Sequence, residues 1–334
     1  MKKKIKRILI TGAEGFIGSH VVELLLLKGY KINAFINYNF LNNKGHLSQI
    51  KKNKNINFYF GDIRDEKIVD KAMKNCDAVM NLAALIGIPY SYEAPSSYVS
   101  TNIMGTLNLL NYSLKHKIQR FIHTSTSEVY GSAQFVPITE KHPLVGQSPY
   151  SATKIGADHM VTSFNKSFKL NTIILRPFNT FGPRQSLRAV IPTIIAQAIS
   201  GKKIKIGNLK TRRDFTYVYD TAEAFLKAIT CNNKAYGKTF NLGTGYDFSI
   251  LEIIKLVEKI LNKKLIIKTD RKRIRPSKSE VLRLISDNSL AKKTLNWKPK
   301  YLKIKGFEKG LKKTIEYMKK DILSYNNDIS DYIK

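Results

Sequence analysis

The chain has 334 residues, 43% of them apolar, and a formal net charge of +32. That length exceeds what one hydrophobic core usually sustains, so two packed lobes are expected, while the longest apolar run, around Leu24–Leu27, falls far short of the ~20 residues that span a bilayer. Most of the basic residues are lysines scattered along the chain, with no basic stripe interleaved with aromatics, which argues against a nucleic-acid partner and leaves a polyanionic small substrate.

In chain order, MKKKIKR leads straight into an apolar strand and shows no signal-peptide cleavage pattern, so a cytoplasmic protein is expected. Cys76 and Cys231 are too few for a disulfide framework, and the isolated histidines offer no zinc spacing. Apolar runs predict strands at Ile5–Thr11, Lys31–Ile36, Ile56–Phe60, Ala78–Leu82, Phe121–Thr124 and Thr172–Leu175. Helical periodicity falls between them, at 16–28, 65–75, 98–115 and 150–168. This alternation predicts an α/β Rossmann fold, a doubly wound parallel sheet covered on both faces. After Arg176-Pro177 the rhythm changes, with helices near 189–200, 218–230, 249–261 and 306–319 between short strands and basic loops such as Arg271–Lys278. The expected organisation is a dinucleotide-binding domain over 1–176, with segments near 215–243 returning to it. A smaller, discontinuous α/β substrate lobe follows over 177–320, then a polar tail over 321–334.

The first strand runs into Thr11-Gly12-Ala13-Glu14-Gly15-Phe16-Ile17-Gly18. Glycines at this spacing, after a strand and opening a helix, let the backbone approach a pyrophosphate that rests on the helix N-terminus. The second strand ends in Ile36-Asn37-Tyr38, with neither the acid that usually bonds the adenosine ribose nor an Arg for a 2′-phosphate, so NAD is slightly favoured and NADP stays open. At the end of the third strand Asp62 is placed to accept from the adenine; the competing expectation is a helix N-cap at Asp62 or Asp65. Tyr150 and Lys154 lie one turn apart on a predicted helix and share a face. A lysine ammonium there, with the positive nicotinamide, is expected to stabilise a tyrosine phenolate that serves as a base.

With these segments the chain resembles the extended short-chain dehydrogenase/reductase superfamily over roughly residues 5–320. The likeness is carried by TGAEGFIGSH (11–20), NLAA (81–84), NIMGTLNLL (102–110), TSEVYG (126–131), YSATK (150–154), LRPFNTFGPRQ (175–185), RRDFTYVYD (212–220) and FNLGTG (240–245). The resemblance implies that the first lobe binds NAD(P) through Gly12, Gly15, Phe16, Ile17, Gly18, Asn37, Asp62, Ile63, Leu82, Ala83, Ala84, Asn102, Thr124, Tyr150 and Lys154. It implies a sugar-nucleotide substrate whose O4 meets Thr126, with Tyr150 and Lys154 oxidising C4. Glu128 adds a carboxylate beside the acidified C5 proton, and Thr126-Ser127-Glu128 resembles the triplet of GDP-mannose 4,6-dehydratases, where dTDP-glucose 4,6-dehydratases have Thr-Asp-Glu. UDP-glucuronate decarboxylases resemble the same segment, so a decarboxylase or a 4-epimerase is the alternative.

The stretches 84–102 and 275–297 look most like the 4,6-dehydratases of legionaminic acid biosynthesis, a surface-glycan route, which act on nucleotide-linked N-acetylglucosamine. On that likeness Tyr90 and Tyr92 line the sugar pocket. Family tryptophans are missing from NYNFLNNKGHL (37–47), which touches the cofactor or dimer edge. Asn179, Arg184, Arg213 and Arg275 are candidates for the diphosphate and nucleotide, because a guanidinium meets phosphate bidentately; an ion pair between Arg213 and Asp214 is the competing expectation. Glu280 is a candidate acceptor for ribose hydroxyls or the base. No metal is expected, and helices 98–115 and 150–168 resemble those that pair in the superfamily's homodimers.

Overall fold

Strands that are apolar along their whole length must be buried on both faces, and here they form the centre of the molecule. The computed structural model describes residues 4–50, 53–270 and 281–324, with side chains as far as 320. The chain runs β1 (Arg7–Thr11), α1 (Phe16–Leu27), β2 (Lys31–Asn37), β3 (Ile56–Gly61), α2 (Glu66–Met73) and β4 (Ala78–Asn81). Next come α3 (Ile88–Glu93), α4 (Pro95–Tyr98), a π-helical stretch at Val99–Met104, α5 (Gly105–Lys115), β5 (Arg120–Thr124), α6 (Pro149–Phe168) and β6 (Thr172–Pro177). The remainder is β7 (Asn179–Phe181), α7 (Val190–Ser200), β8 (Lys203–Ile206), β9 (Arg212–Tyr217), α8 (Val218–Thr230) and β10 (Lys238–Leu242). It closes with β11 (Asp247–Ser249), α9 (Ile250–Leu261), β12 (Ile266–Thr269), β13 (Arg283–Leu284), α10 (Ser289–Leu295) and α11 (Lys303–Ser324).

The seven-stranded sheet has the order β10-β6-β5-β4-β1-β2-β3, and every neighbouring pair is parallel. Side chains alternate across it. Ile8 and Ile10 of β1 enter a core with Val21, Val22 and Leu25 of α1 and Phe225 of α8. Leu9 points the other way, to Val69 and Met73 of α2, Leu109 of α5 and Val161 of α6. Strand order reverses between β1 and β4, which opens the crevice where ligands sit in doubly wound folds.

A second apolar cluster joins Phe181, Ile194, Phe215, Tyr217, Ile253 and Phe307. It is framed by β9, which pairs with β7, β11 and β13, and by the β8–β12 pair. Differences from the sequence reading are local. The short α3 was not anticipated, the edge strand β10 lies within the segments near 215–243 expected to return to the first domain, and α11 starts at Lys303 and continues to Ser324, into the stretch read as a polar tail. The helix expected at 98–115 starts as α4 at Pro95 and passes through the π-helical stretch, where one backbone bond spacing widens. The basic loop Arg271–Lys278 lies outside the described residues, and among the described residues no helix is long and apolar enough to cross a membrane.

Candidate active site

The glycine loop shows why each glycine stands where it does. A Cβ on Gly12 would lie 2.9 Å from the Ala83 amide nitrogen, and on Gly18 it would lie 2.1 Å from the Gly12 carbonyl oxygen. These two are required by the protein's own packing. A Cβ on Gly15 would meet only the Gly12 oxygen, at 3.3 Å, and otherwise open space. Gly15 is also the N-cap of α1 and no side chain caps that helix, so its first amides stay available to an anion. The cradle fits a dinucleotide pyrophosphate. Thr11 Oγ1 accepts from the Leu82 and Ala83 amides at 3.2 and 3.1 Å, which fixes the β4 exit, with Ala84, against this loop.

The chemical residues come from two elements at the same sheet edge. Thr126 caps a 3₁₀ turn at Ser127–Tyr130, its hydroxyl accepting from the Glu128 amide at 3.3 Å, which holds the Thr-Ser-Glu triplet in one orientation. α6 begins with a capping box between Ser148 and Ser151 and Pro149 at its first position, so Tyr150 sits in a rigid first turn. Tyr150 is buried, hydrogen-bonded to Thr126, and within the field of Glu128, with the Tyr98 ring edge-on at 6.3 Å. Ser127 is buried beside them.

Lys154 is anchored to the end of β5. Its ammonium donates to the Thr124 carbonyl at 2.7 Å, and burial lowers its pKa to about 8 against an opposing pull from Asp158. Burial likewise drives the Tyr150 phenol well above its ordinary range; the Thr126 bond lowers it, but Glu128 adds to the rise. In the protein alone, desolvation is the largest influence on both groups.

Beneath the pair lies a network the sequence reading missed. Asp158 accepts from Ser125 Oγ at 2.7 Å and from Arg176 at 3.1 and 2.8 Å, with His123 Nε2 at 3.5 Å. Arg176 also donates to the Tyr130 hydroxyl at 2.9 Å, which in turn donates to Asn241 of β10 at 2.7 Å. Asp158 stands four residues after Lys154, a helical spacing that could have been noticed; its partners on β5 and β6 could not.

Other candidates are distributed as follows. The Asn37 backbone amide donates to Glu14 at 2.9 Å, at the end of β2. Asp62 is held by Arg64 through contacts of 2.8, 3.0 and 2.7 Å, which lower its pKa, while Asp65, not Asp62, caps α2. Ile63 is buried against Gly105, and Phe16 and Ile17 open α1. Asn102, on the π-helical stretch, accepts from the Leu85 amide at 2.9 Å and donates to the Leu85 carbonyl and Thr153 at 3.1 and 3.0 Å, so its amide is taken up by protein. Thr124 keeps a buried hydroxyl with no protein partner among the described residues.

On the substrate side, Tyr90 is exposed and its ring lies 6.2 Å from that of the buried Tyr98, which in turn meets Tyr150. Tyr92, two residues on in α3, is exposed as well. Asn179 has a buried, unpartnered Oδ1 among the described residues. Arg184 is instead tied to α1, donating to Ser19 at 3.2 Å, His20 at 3.1 Å and Glu23 at 2.6 Å. Burial, with Arg184 adding to it, holds the His20 imidazole down to about 3. Arg213 is buried and donates to the Arg212 and Leu282 carbonyls at 3.0 and 3.4 Å. Its neighbour Asp214 is satisfied otherwise, by the Thr244, Gly245 and Ser286 amides, because adjacent strand residues face opposite ways. Arg275 and Glu280 lie outside the described residues.

Comparison with known proteins adds to this geometry. The family model described as GDP-mannose 4,6 dehydratase matches residues 9–314. A dTDP-D-glucose 4,6-dehydratase of Dictyostelium discoideum is 35% identical over 77% of this chain, which spans 62% of that relative's length. The low-salt glycan biosynthesis protein Agl12 of Haloferax volcanii is 33% identical over 93% of this chain and 97% of its own. Among solved structures, the dTDP-glucose 4,6-dehydratase DesIV of Streptomyces venezuelae with NAD bound superposes with a TM-score of 0.85 at 25% identity, covering 96% of this chain and 99% of the other. A UDP-glucose 4-epimerase of Thermotoga maritima with UDP-glucose gives 0.83 at 31% identity, covering 95% and 99%.

Proposed function

This chain belongs to the GDP-mannose 4,6-dehydratase family of extended short-chain dehydrogenases/reductases, and from that premise we propose an NAD-dependent sugar-nucleotide 4,6-dehydratase acting on GDP- or UDP-N-acetylglucosamine. The observation that carries elimination over simple epimerisation is Glu128, whose backbone amide the Thr126 cap holds and whose carboxylate lies close enough to raise the Tyr150 pKa. A carboxylate in that position serves as a general base for the C5 proton, a step a 4-epimerase does not need. Residues 1–176 would hold the dinucleotide and 177–320 the sugar nucleotide.

NAD, held by Gly12, Gly15 and the first turn of α1, supplies a hydride acceptor for C4, a hydride donor for C6 and a positive charge near Tyr150. The chain's own part is proton handling. Tyr150 accepts the 4-hydroxyl proton, and Thr126 orients that oxygen. Glu128 removes the C5 proton once C4 is a ketone. The C6–O bond then breaks, and the hydroxyl leaves as water with a proton passed from Ser127 or Glu128. Reprotonation at C5 completes a 4-keto-6-deoxy product with no net redox change.

The N-acetylglucosamine assignment is supported by the resemblance of 84–102 and 275–297 to the legionaminic-pathway enzymes, with Tyr90 and Tyr92 exposed on α3. Exposed Val99 and Met104 beside α5 support a homodimer through this helix pair. The test is incubation with GDP-, UDP- and dTDP-linked glucose, mannose and N-acetylglucosamine in deuterium oxide. A 4-keto product with a C6 methyl and deuterium at C5 is expected from a GDP- or UDP-N-acetylglucosamine. A C4-inverted sugar with an intact C6 hydroxyl would support the epimerase alternative, and turnover of glucose or mannose nucleotides alone would remove the amino-sugar assignment.

A further inference from the structure

β2 ends in Asn37 and so lacks the carboxylate that usually reads the adenosine ribose. The structure places another carboxylate at that strand end. Glu14, inside the glycine loop, reaches across so that its Oε1 accepts from the Asn37 amide at 2.9 Å. Its other oxygen, Oε2, is buried and has no hydrogen-bond partner among the described residues. The side chain is held there from above: Gly45 has a positive φ of 53°, and a Cβ on it would lie 3.1 Å from the Glu14 Cβ. The His46 amide also donates to the Glu14 carbonyl, at 3.4 Å.

We propose that Glu14 takes the place of the missing β2 acid, accepting a hydrogen bond from the adenosine ribose and selecting NAD against NADP. This rests on the dinucleotide reading of the glycine loop given above. A buried carboxylate oxygen without a donor is costly, and a ribose hydroxyl supplies that donor. A 2′-phosphate has no proton to give and brings a second negative charge into a poorly solvated crevice. The segment over Glu14 is tied down by the Tyr38 amide bond to Gly61, by bonds between Asn39 and Asn43 and between Asn43 and Gly45, and by the His46 amide bond to the Glu14 carbonyl. Burial raises the Glu14 carboxyl pKa and the Asn37 amide bond lowers it, as suits a carboxylate awaiting one more donor.

The test is calorimetric binding of NAD and of NADP to the nucleotide-free full chain, wild type against Glu14→Gln, which keeps an acceptor for the Asn37 amide and removes the charge. The wild type should prefer NAD, and Glu14→Gln should narrow the NAD/NADP ratio about tenfold, the size of one charge-assisted bond. Adding Asn37→Asp to Glu14→Gln should restore the preference by returning an acid to the strand end. An unchanged ratio in Glu14→Gln overturns the role of Glu14. Failure of the wild type to bind either dinucleotide overturns the cofactor reading itself.

Discussion

Replacing Asp158 with Asn tests how the buried network supports the candidate base. The Asp158 carboxylate takes two bonds from Arg176 and one from Ser125, and side-chain exposure at the ion pair is only 5% and 3%. Asparagine keeps the shape but removes the charge, leaving the Arg176 guanidinium buried without a counter-ion. Breaking one side of a buried pair costs about 3–5 kcal/mol. Some compensation remains, since Arg176 still donates to the Tyr130 hydroxyl, so the lower end of that range is expected. Asp158 also raises the pKa of Lys154, which stands at about 8. Its loss should lower that value further and move the Lys154-dependent limb of the kcat/KM profile to lower pH. Urea unfolding and a pH–rate profile measure the two effects. In Asp158→Asn/Arg176→Met, with both charges gone, most of the stability should return, so that the two losses are strongly non-additive. A stability loss below about 1 kcal/mol, or no recovery in the double variant, would refute the ion-pair account.

Lys154→Met should change how stability depends on pH. The folded-state pKa of about 8 lies below the ordinary 10.5, so the unfolded chain binds the extra proton between those values. Wild-type stability should therefore climb from pH 8 toward 10.5, by on the order of 3 kcal/mol relative to the methionine variant, and parallel curves would contradict the burial seen here. Glu128→Gln should cut formation of the 6-deoxy product by about 10²–10⁴-fold while leaving single-turnover oxidation at C4 less affected; equal losses in both would remove Glu128 from the C5 step. Gly18→Ala puts a Cβ 2.1 Å from the Gly12 oxygen and should destabilise the fold by at least about 1–3 kcal/mol in thermal or urea unfolding, with dinucleotide binding weakened in step.

The strands, the glycine loop and the Tyr150–Lys154 spacing were legible in the sequence because each is set by neighbours within one element. A strand buried on both faces reads as an apolar run, a helix repeats at a fixed interval, and a loop that packs against Ala83 and its own turn tolerates only glycine at Gly12 and Gly18. Likewise, the Thr126 cap needs only its own 3₁₀ turn. What the sequence could not assign were the partners of long polar side chains. Arg184 was a phosphate candidate by residue type, yet it reaches Glu23, 161 residues away, and Asp214 is spent on amides from two distant loops rather than on Arg213. Asp158 offered only its spacing from Lys154, and Glu14 only its charge, until the sheet brought Arg176 and Asn37 beside them. The balance at Tyr150 was also a tertiary matter, since the depth of burial, which no residue spacing encodes, is what drives its phenol up. Local spacing determines which atoms are available, and the packing of remote elements determines which of them are already satisfied and which still need a ligand.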